Sequence, residues 1–258
     1  MVTSKATKER ESESARQGGP RSTRGNWSNY AVIAVGLAVV CGAAAAVGHG
    51  VRAGRASVVD APTNAVGTGS TKLELPVRPT VPVTLTVFED PRSPQSKKFA
   101  QEYASTFSRL LASGQVQINY RLVTQSDAQY GGNGAKEAAA AAACAQDQGR
   151  FSAFMDQVWQ HQPAPGNDAL KDRELLTKLA KKAGKIEHDA FKLCVDRDER
   201  TGWVATSQSE YANAHLGDVP IIRLNGRTLP APATQLTPAK LTGLVGKEAR
   251  RVIAAAAP

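Results

Sequence analysis

Residues 83–103 read VTLTVFEDPRSPQSKKFAQEY, and this stretch decides the fold. Its first six residues, Val83 to Phe88, are apolar or β-branched and follow a proline, which is typical of a buried central strand. Ser93 and Pro94 then supply a helix N-cap and a favoured first helical residue, and apolar side chains follow at helical spacing. The stretch therefore predicts a strand followed directly by a helix, which Gly114 ends.

The rest of the folded region continues this α/β pattern. Residues 116–122 alternate apolar and polar side chains, which predicts a half-buried strand and completes a βαβ unit. The sequence Asn225-Gly226 lies between two short strand patterns and predicts a hairpin turn, and a last helix begins at Thr237-Pro238. Helical patterns fill the middle of the chain at 135–148, 151–159, 170–183 and 188–194, the last continuing toward Tyr211.

The first 82 residues have a different composition. Residues 1–29 are polar and charged and lack the apolar content needed for a core, so we expect a disordered tail. Tyr30 to Gly48 is a run of 19 uncharged residues, which as a helix would approach the ~30 Å hydrocarbon thickness of a membrane. Residues 49–82 contain many prolines and glycines and predict a linker, so the folded domain is expected at 83–253.

The predicted membrane span also has an expected orientation. Basic residues are slightly more numerous before the span than after it, which favours a cytoplasmic N-terminus and an extracytoplasmic domain at the cell membrane. The small residues Ala43 to Ala46 also fit a signal-peptide cleavage site, and cleavage there would give a secreted protein. The long polar segment before the span favours the uncleaved anchor.

Charge and histidine placement argue against two classes of function. The net charge is +9, but residues 1–29 hold six basic and three acidic side chains, and the other charges are scattered. No basic stripe interleaved with aromatic residues occurs, so no nucleic-acid partner is predicted. The four histidines lie in separate segments without ligand spacing, so neither a metal nor another cofactor is predicted; they are His49, His161, His188 and His215.

The chain has three cysteines, and Cys41 lies inside the apolar run. Cys144 and Cys194 are then the only pair available to the folded domain. In an exported protein such a pair is compatible with a structural disulfide, and the alternative is two buried, unpaired thiols.

Three stretches resemble the DsbA-like branch of the thioredoxin superfamily. Residues 83–103 are similar to its opening strand and active-site helix, and residues 140–159, AAAACAQDQGRFSAFMDQVW, are similar to its inserted helices. Residues 217–226, GDVPIIRLNG, are similar to the segment that bears its cis-proline. The resemblance implies a thioredoxin-like α/β fold with an inserted helical subdomain, from about Leu73 to about Val252. Related proteins can carry an additional disulfide in the helical region, which supports the Cys144–Cys194 pair.

The resemblance includes a departure at the position of the family's chemistry. The family helix begins with Cys-Pro-x-Cys, and the aligned residues here are Ser93, Pro94, Gln95 and Ser96. Thiol exchange needs a thiolate, whereas an alcohol is not appreciably ionised near neutral pH and cannot form a mixed disulfide. No Gly-x-Ser-x-Gly elbow or recognised histidine motif would activate a serine nucleophile. We therefore assign no catalytic residue and expect Ser93 to cap the helix.

The resemblance also implies a peptide groove. Val219 would present backbone groups to an extended substrate beside the cis-proline Pro220, and the helix start at Ser93, Pro94 and Gln95 would form the other wall. The alternative is that Pro220 serves the scaffold alone. Glu89 and Asp90 could titrate abnormally as a pair, although an acidic residue before a helix is also favourable for electrostatic reasons.

These inferences predict a membrane-anchored, non-catalytic module that binds an extracytoplasmic peptide or protein. The main alternative is a thiol-disulfide oxidoreductase that acts through Cys144 and Cys194 or with a cysteine-bearing partner. A purely structural domain is the third possibility.

Overall fold

The computed structural model describes residues 60–67, 72–76, 81–232 and 235–256. The predicted tail at 1–29 and the predicted span from Tyr30 to Gly48 lie outside these ranges. Within them, no helix is both long and apolar enough to cross a membrane.

A mixed sheet forms the centre of the domain. The described residues form five strands, β1 Leu75–Pro76, β2 Val83–Glu89, β3 Val116–Leu122, β4 Ile221–Leu224 and β5 Arg227–Thr228. They are arranged in the order β1-β3-β2-β4-β5, with β2 parallel to β3 and antiparallel to β4. Asn225 and Gly226 connect β4 to β5 with φ angles of 44° and 82°, the left-handed conformation that tight hairpin turns require. The predicted hairpin is confirmed.

Most helices of the described residues lie where the sequence patterns predicted them. They are α1 Pro94–Ala112, α2 Gln125–Tyr130, α3 Gly134–Gln146, α4 Phe151–Gln160, α5 Arg173–Ala183, α6 His188–Asp196, α7 Thr201–Asn213 and α8 Pro238–Ala256, with a 3-10 turn at Ala169–Lys171. The pattern that ran from 188 toward Tyr211 is divided into α6 and α7, with Asp198 at a positive φ of 56° between them. The short helix α2 had no recognisable apolar period and was not predicted.

Helices α1 and α8 pack against one face of the sheet. Phe99 and Tyr103 of α1 and Leu241 of α8 are buried together with Val87 of β2. The Tyr103 hydroxyl donates a hydrogen bond to the Leu236 carbonyl, which ties α1 to the segment before α8. This layer fixes the position of the first turn of α1, where the candidate site begins.

The inserted helices form a second core around α3. All residues of α3 except Lys136 are buried, and most are alanines, whose small side chains allow neighbouring helices to approach closely. A disulfide joins Cys144 of α3 to Cys194 of α6, with a Cα–Cα distance of 6.0 Å, which confirms the predicted pair. Both cysteines are buried in this core, since they are 2% and 8% exposed.

The described part of the predicted linker also contributes to the fold. Leu73 and Leu75 are buried, and Leu75 of β1 pairs with Tyr120 of β3. The Trp203 indole donates a 2.7 Å hydrogen bond to the Lys72 carbonyl. The packed region therefore begins before Val83, because apolar side chains between the prolines extend the core.

Candidate functional site

The first turn of α1 holds the aligned Ser-Pro-Gln-Ser residues. Ser93 has an extended backbone conformation, its Oγ accepts the Ser96 N–H at 3.2 Å, and Pro94 occupies the first helical turn. The Ser93 hydroxyl donates in turn to Gln95 Oε1 at 3.1 Å. Ser93 is thus the N-cap of the helix, as predicted, and its hydroxyl is engaged as both acceptor and donor.

The loop before α1 is held by hydrogen bonds to buried groups. Ser96 Oγ accepts the Asp90 N–H at 3.1 Å. The Asp90 carboxylate accepts the N–H groups of Arg92 at 2.8 Å and Ser126 at 2.7 Å. Burial raises the pKa of Asp90 to about 6, although these backbone hydrogen bonds act in the opposite direction. The residues aligned with the dithiol therefore complete a hydrogen-bonded turn.

Arg92 fastens this turn to the helical subdomain. Its side chain is fully buried, and Nη1 lies 3.1 Å from carboxylate oxygens of both Asp127 and Asp168 and donates to the Gly131 carbonyl at 2.6 Å. Asp127 also accepts the N–H groups of Ala135 and Lys136, in the first turn of α3, at 2.9 Å each. The sequence offered no signal for this role, since a lone arginine before a helix is usually a surface residue.

The cis-proline loop lies opposite the start of α1. The Val219–Pro220 peptide bond is cis, as the resemblance implied. Gln125 of α2 contacts this loop twice: its Nε2 donates to the Gly217 carbonyl at 3.0 Å, and its Oε1 accepts the Val219 N–H at 3.3 Å. One side-chain amide thus pairs with the loop backbone in the way that a peptide amide would pair with it. Gln125 was missed because α2 was not predicted.

A polar cavity of about 610 Å³ lies between α1, α2 and this loop. Three of the five predicted binding residues line it, namely Ser93, Gln95 and Val219, while Pro94 and Pro220 are half-buried beside it. Most of its other lining residues carry amide or carboxylate groups. They are Asp90, Gln125, Ser126, Ala128, Gln129, Gln208 and Asp218. The lining presents many hydrogen-bond donors and acceptors and more polar than apolar surface.

The acidic residues before α1 have separate environments. Asp90 lines the polar cavity, whereas Glu89 lines a different cleft between α1 and α4. Burial, and to a smaller extent the charge of Asp156, raises the pKa of Glu89 to about 8. Asp156 and not Asp90 is therefore the carboxylate that adds to the shift of Glu89.

The other candidate groups do not meet in this cavity. Cys144 and Cys194 lie within the core of the inserted helices. His161 Nδ1 is hydrogen bonded to the Gln157 carbonyl, and its Nε2 lies 2.7 Å from Lys182 Nζ. Among the described residues, no three histidine, cysteine or acidic side chains gather as a metal site. His49 lies outside those residues.

A thioredoxin family model matches residues 78–246 of the sequence. This chain belongs to the thioredoxin family. Its predicted fold, a thioredoxin-like α/β domain with a helical insertion, is confirmed. Comparison with curated protein sequences found no significant match.

Solved structures of DsbA-type thioredoxin-fold proteins share this architecture. Reduced DsbA from Mycobacterium tuberculosis is 20% identical with a TM-score of 0.56, and the match covers 72% of this chain and all of that one. Oxidised BdbD from Bacillus subtilis is 19% identical with a TM-score of 0.59, and 74% of this chain and all of that one are covered. DsbA from Chlamydia trachomatis is 16% identical with a TM-score of 0.56, with 76% and 100% covered. At these identities the similarity establishes the DsbA-like thioredoxin fold alone.

Proposed function

We propose that this protein is a non-catalytic thioredoxin-fold module that binds an extended peptide, or a segment of a partner protein, in the polar cavity. The observation that carries the proposal is the state of the first turn of α1. Serines stand where the family has thiols, and the Ser93 hydroxyl is committed to capping the helix. The cis-proline loop and an open cavity are nevertheless present beside that turn. Binding needs these two features, whereas dithiol exchange needs the missing sulfur atoms.

The lining of the cavity indicates the kind of ligand. Gln95, Gln125, Gln129 and Gln208 place amide groups around it, and such groups can satisfy a peptide backbone in extended conformation. Because Gln125 already pairs with Gly217 and the Val219 N–H, a peptide that pairs with the loop has to displace it. We expect the ligand to be bound mainly through its backbone, with little contribution from apolar side chains.

Site-specific crosslinking tests this proposal. A photo-crosslinking residue at Gln95, which is exposed at the rim of the cavity, should capture a reproducible partner from native membranes, whereas one at Glu102 on another part of α1 should not. Ala128 is exposed and lines the cavity, so Ala128→Trp should block capture without disturbing the core. Ala239→Trp places the same bulk at an exposed position of α8 and should leave capture unchanged. Equal capture by the Ala128→Trp and Ala239→Trp variants would refute binding in this cavity.

Gln125→Ala provides a second test, in which binding should become tighter and not weaker. Removing the amide frees the Gly217 carbonyl and the Val219 N–H, so the captured segment, made as a synthetic peptide, should bind several-fold more tightly. Weaker binding to this variant would mean that Gln125 contacts the ligand directly.

A thiol-disulfide oxidoreductase is the second candidate function, because Cys144 and Cys194 are already joined as a disulfide. The burial of both cysteines argues against attack by a substrate thiolate, which needs access to the sulfur atoms. A turnover assay for thiol oxidation or disulfide reduction separates the two functions. Activity that disappears in Cys144→Ser would favour the enzyme.

We further propose that residues 30–48 anchor the domain at the extracytoplasmic face of the cell membrane. The support is the uncharged run from Tyr30 to Gly48 behind a basic tail. Sequencing the N-terminus of the mature protein tests the anchor, since a start after Ala46 would mean a cleaved signal peptide and a secreted protein.

A further inference from the structure

A second cleft, separate from the polar cavity, lies between α1 and α4. Its volume is about 290 Å³, just below the range typical of ligand pockets, about 300–1,000 Å³. Phe107 of α1 and Phe151, Met155 and Trp159 of α4 form apolar walls. The site is therefore suited to a small ligand with an apolar body.

The cleft contains a buried carboxyl group. Glu89, at the end of β2, is only 2% exposed and lines the cleft. No hydrogen bond or ion pair to its side chain occurs within the part of the chain that the structure describes. A carboxylate that is largely removed from water is costly unless a partner compensates it, so a cationic ligand in the cleft would stabilise it.

The titratable groups around Glu89 do not neutralise it. Asp156 of α4 and Tyr120 of β3 face the same cleft, and the lining residues of α1 are uncharged. Asp156 is exposed, and the Tyr120 ring lies 5.1 Å from the ring of Phe151. The described lining thus combines two carboxyl groups and several aromatic rings and includes no basic side chain.

We propose that this cleft binds a small organic ammonium ion with an aromatic or short aliphatic body. The ammonium group would lie against the Glu89 carboxylate, with Asp156 adding negative charge and the aromatic rings offering their faces to the cation. The apolar part of the ligand would fill the space between Phe107 and Trp159. A neutral ligand could fill the same space but would offer no positive charge to the two carboxyl groups.

Such binding is linked to pH. Because the pKa of unliganded Glu89 is about 8, the cation would bind below that pH with release of a proton. Affinity should therefore rise from pH 6 to pH 8.5, by one to two orders of magnitude, since each pKa unit of protonation costs about tenfold.

Calorimetry on the full chain tests the proposal with three probes that share a phenyl ring on a two-carbon chain and differ in the terminal group. We expect 2-phenylethylammonium to bind, 2-phenylethanol to bind at least about tenfold more weakly, and 3-phenylpropionate not to bind. Glu89→Gln should abolish the preference for the ammonium over the alcohol. Glu102→Gln removes one negative charge from an exposed part of α1 and should leave the preference unchanged.

Several outcomes would overturn the proposal. These are equal affinity for the ammonium and the alcohol, a preference that survives in Glu89→Gln, or failure of all three probes to bind. The last result would mean that Glu89 is a protonated core residue only. If Glu89→Gln does not fold, two other measurements decide the question. The exposed Asp156→Asn variant should bind the ammonium several-fold more weakly, and the affinity of the unaltered chain should depend on pH. An affinity that does not change with pH would then refute the site.

Discussion

Restoring the two thiols at the start of α1 tests whether the first turn has the geometry of an active-site helix. Ser93 Oγ accepts the Ser96 N–H at 3.2 Å, and a thiolate in Ser93→Cys would accept the same N–H. A hydrogen bond to a charged group contributes about 1.5–3 kcal/mol and a helix N-terminus about 0.3–1 kcal/mol. Together they would lower the thiol pKa by about 1.5–3 units, since one unit is about 1.36 kcal/mol.

Two effects oppose this shift. Ser93 is 6% exposed, so a thiolate there is largely removed from water, and Asp90 lines the same cavity and is mostly ionised at neutral pH. We therefore expect a net lowering of about 1–2 units from the unperturbed value of ~8.5. Ultraviolet absorbance of the thiolate, followed as a function of pH, measures the pKa of the single variant.

The double variant, Ser93→Cys with Ser96→Cys, should form a reducible bridge and gain dithiol exchange, while each single variant should only trap mixed disulfides. A matched control is Ser105→Cys with Ser108→Cys, which has the same spacing at exposed positions in the middle of the same helix. There the backbone N–H groups are already used, so thiol pKa values should be ordinary. The same ordinary values at Ser93, with no bridge, would refute the assignment of this turn.

Three further predictions concern stability. Replacing Cys144 and Cys194 by alanine should lower the free energy of unfolding by up to about 4 kcal/mol, measured in urea, because the bridge spans 50 residues; unchanged stability would contradict a structural bridge. Arg92→Met should cost about 3–5 kcal/mol in the same assay, because it removes the buried cation that Asp127 and Asp168 share and leaves Asp168 with the exposed Lys171 at 3.8 Å; a loss below 1 kcal/mol would contradict that role. Because the pKa of Glu89 is raised to about 8 in the folded protein, the unfolded chain loses this proton at a lower pH than the folded one. The free energy of unfolding should therefore fall as the pH rises from about 4.5 to 8, by at most about 5 kcal/mol. Glu89→Gln should flatten that slope, and an unchanged slope would show that Glu89 is not its source.

Much of the fold could be predicted from local sequence. The strand from Val83, the Ser93-Pro94 helix start and the Asn225-Gly226 turn each depend on interactions among neighbouring residues, which a short segment already contains. The identity of the residues at 93 and 96 also determined one point of chemistry directly, because two serines cannot carry out dithiol exchange.

The remaining features depended on contacts between residues that are far apart in the chain. Arg92 is buried because Asp168, 76 positions later, provides one of its counter-charges, and Gln125 reaches the Val219 N–H across 94 positions. In the sequence Glu89 is an acidic residue shortly before a helix, and only the tertiary structure shows that it lies in a cleft between α1 and α4. Burial and pairing of polar groups are properties of assembled surfaces, so the sequence supplied these side chains while only the tertiary structure decided which of them line a site.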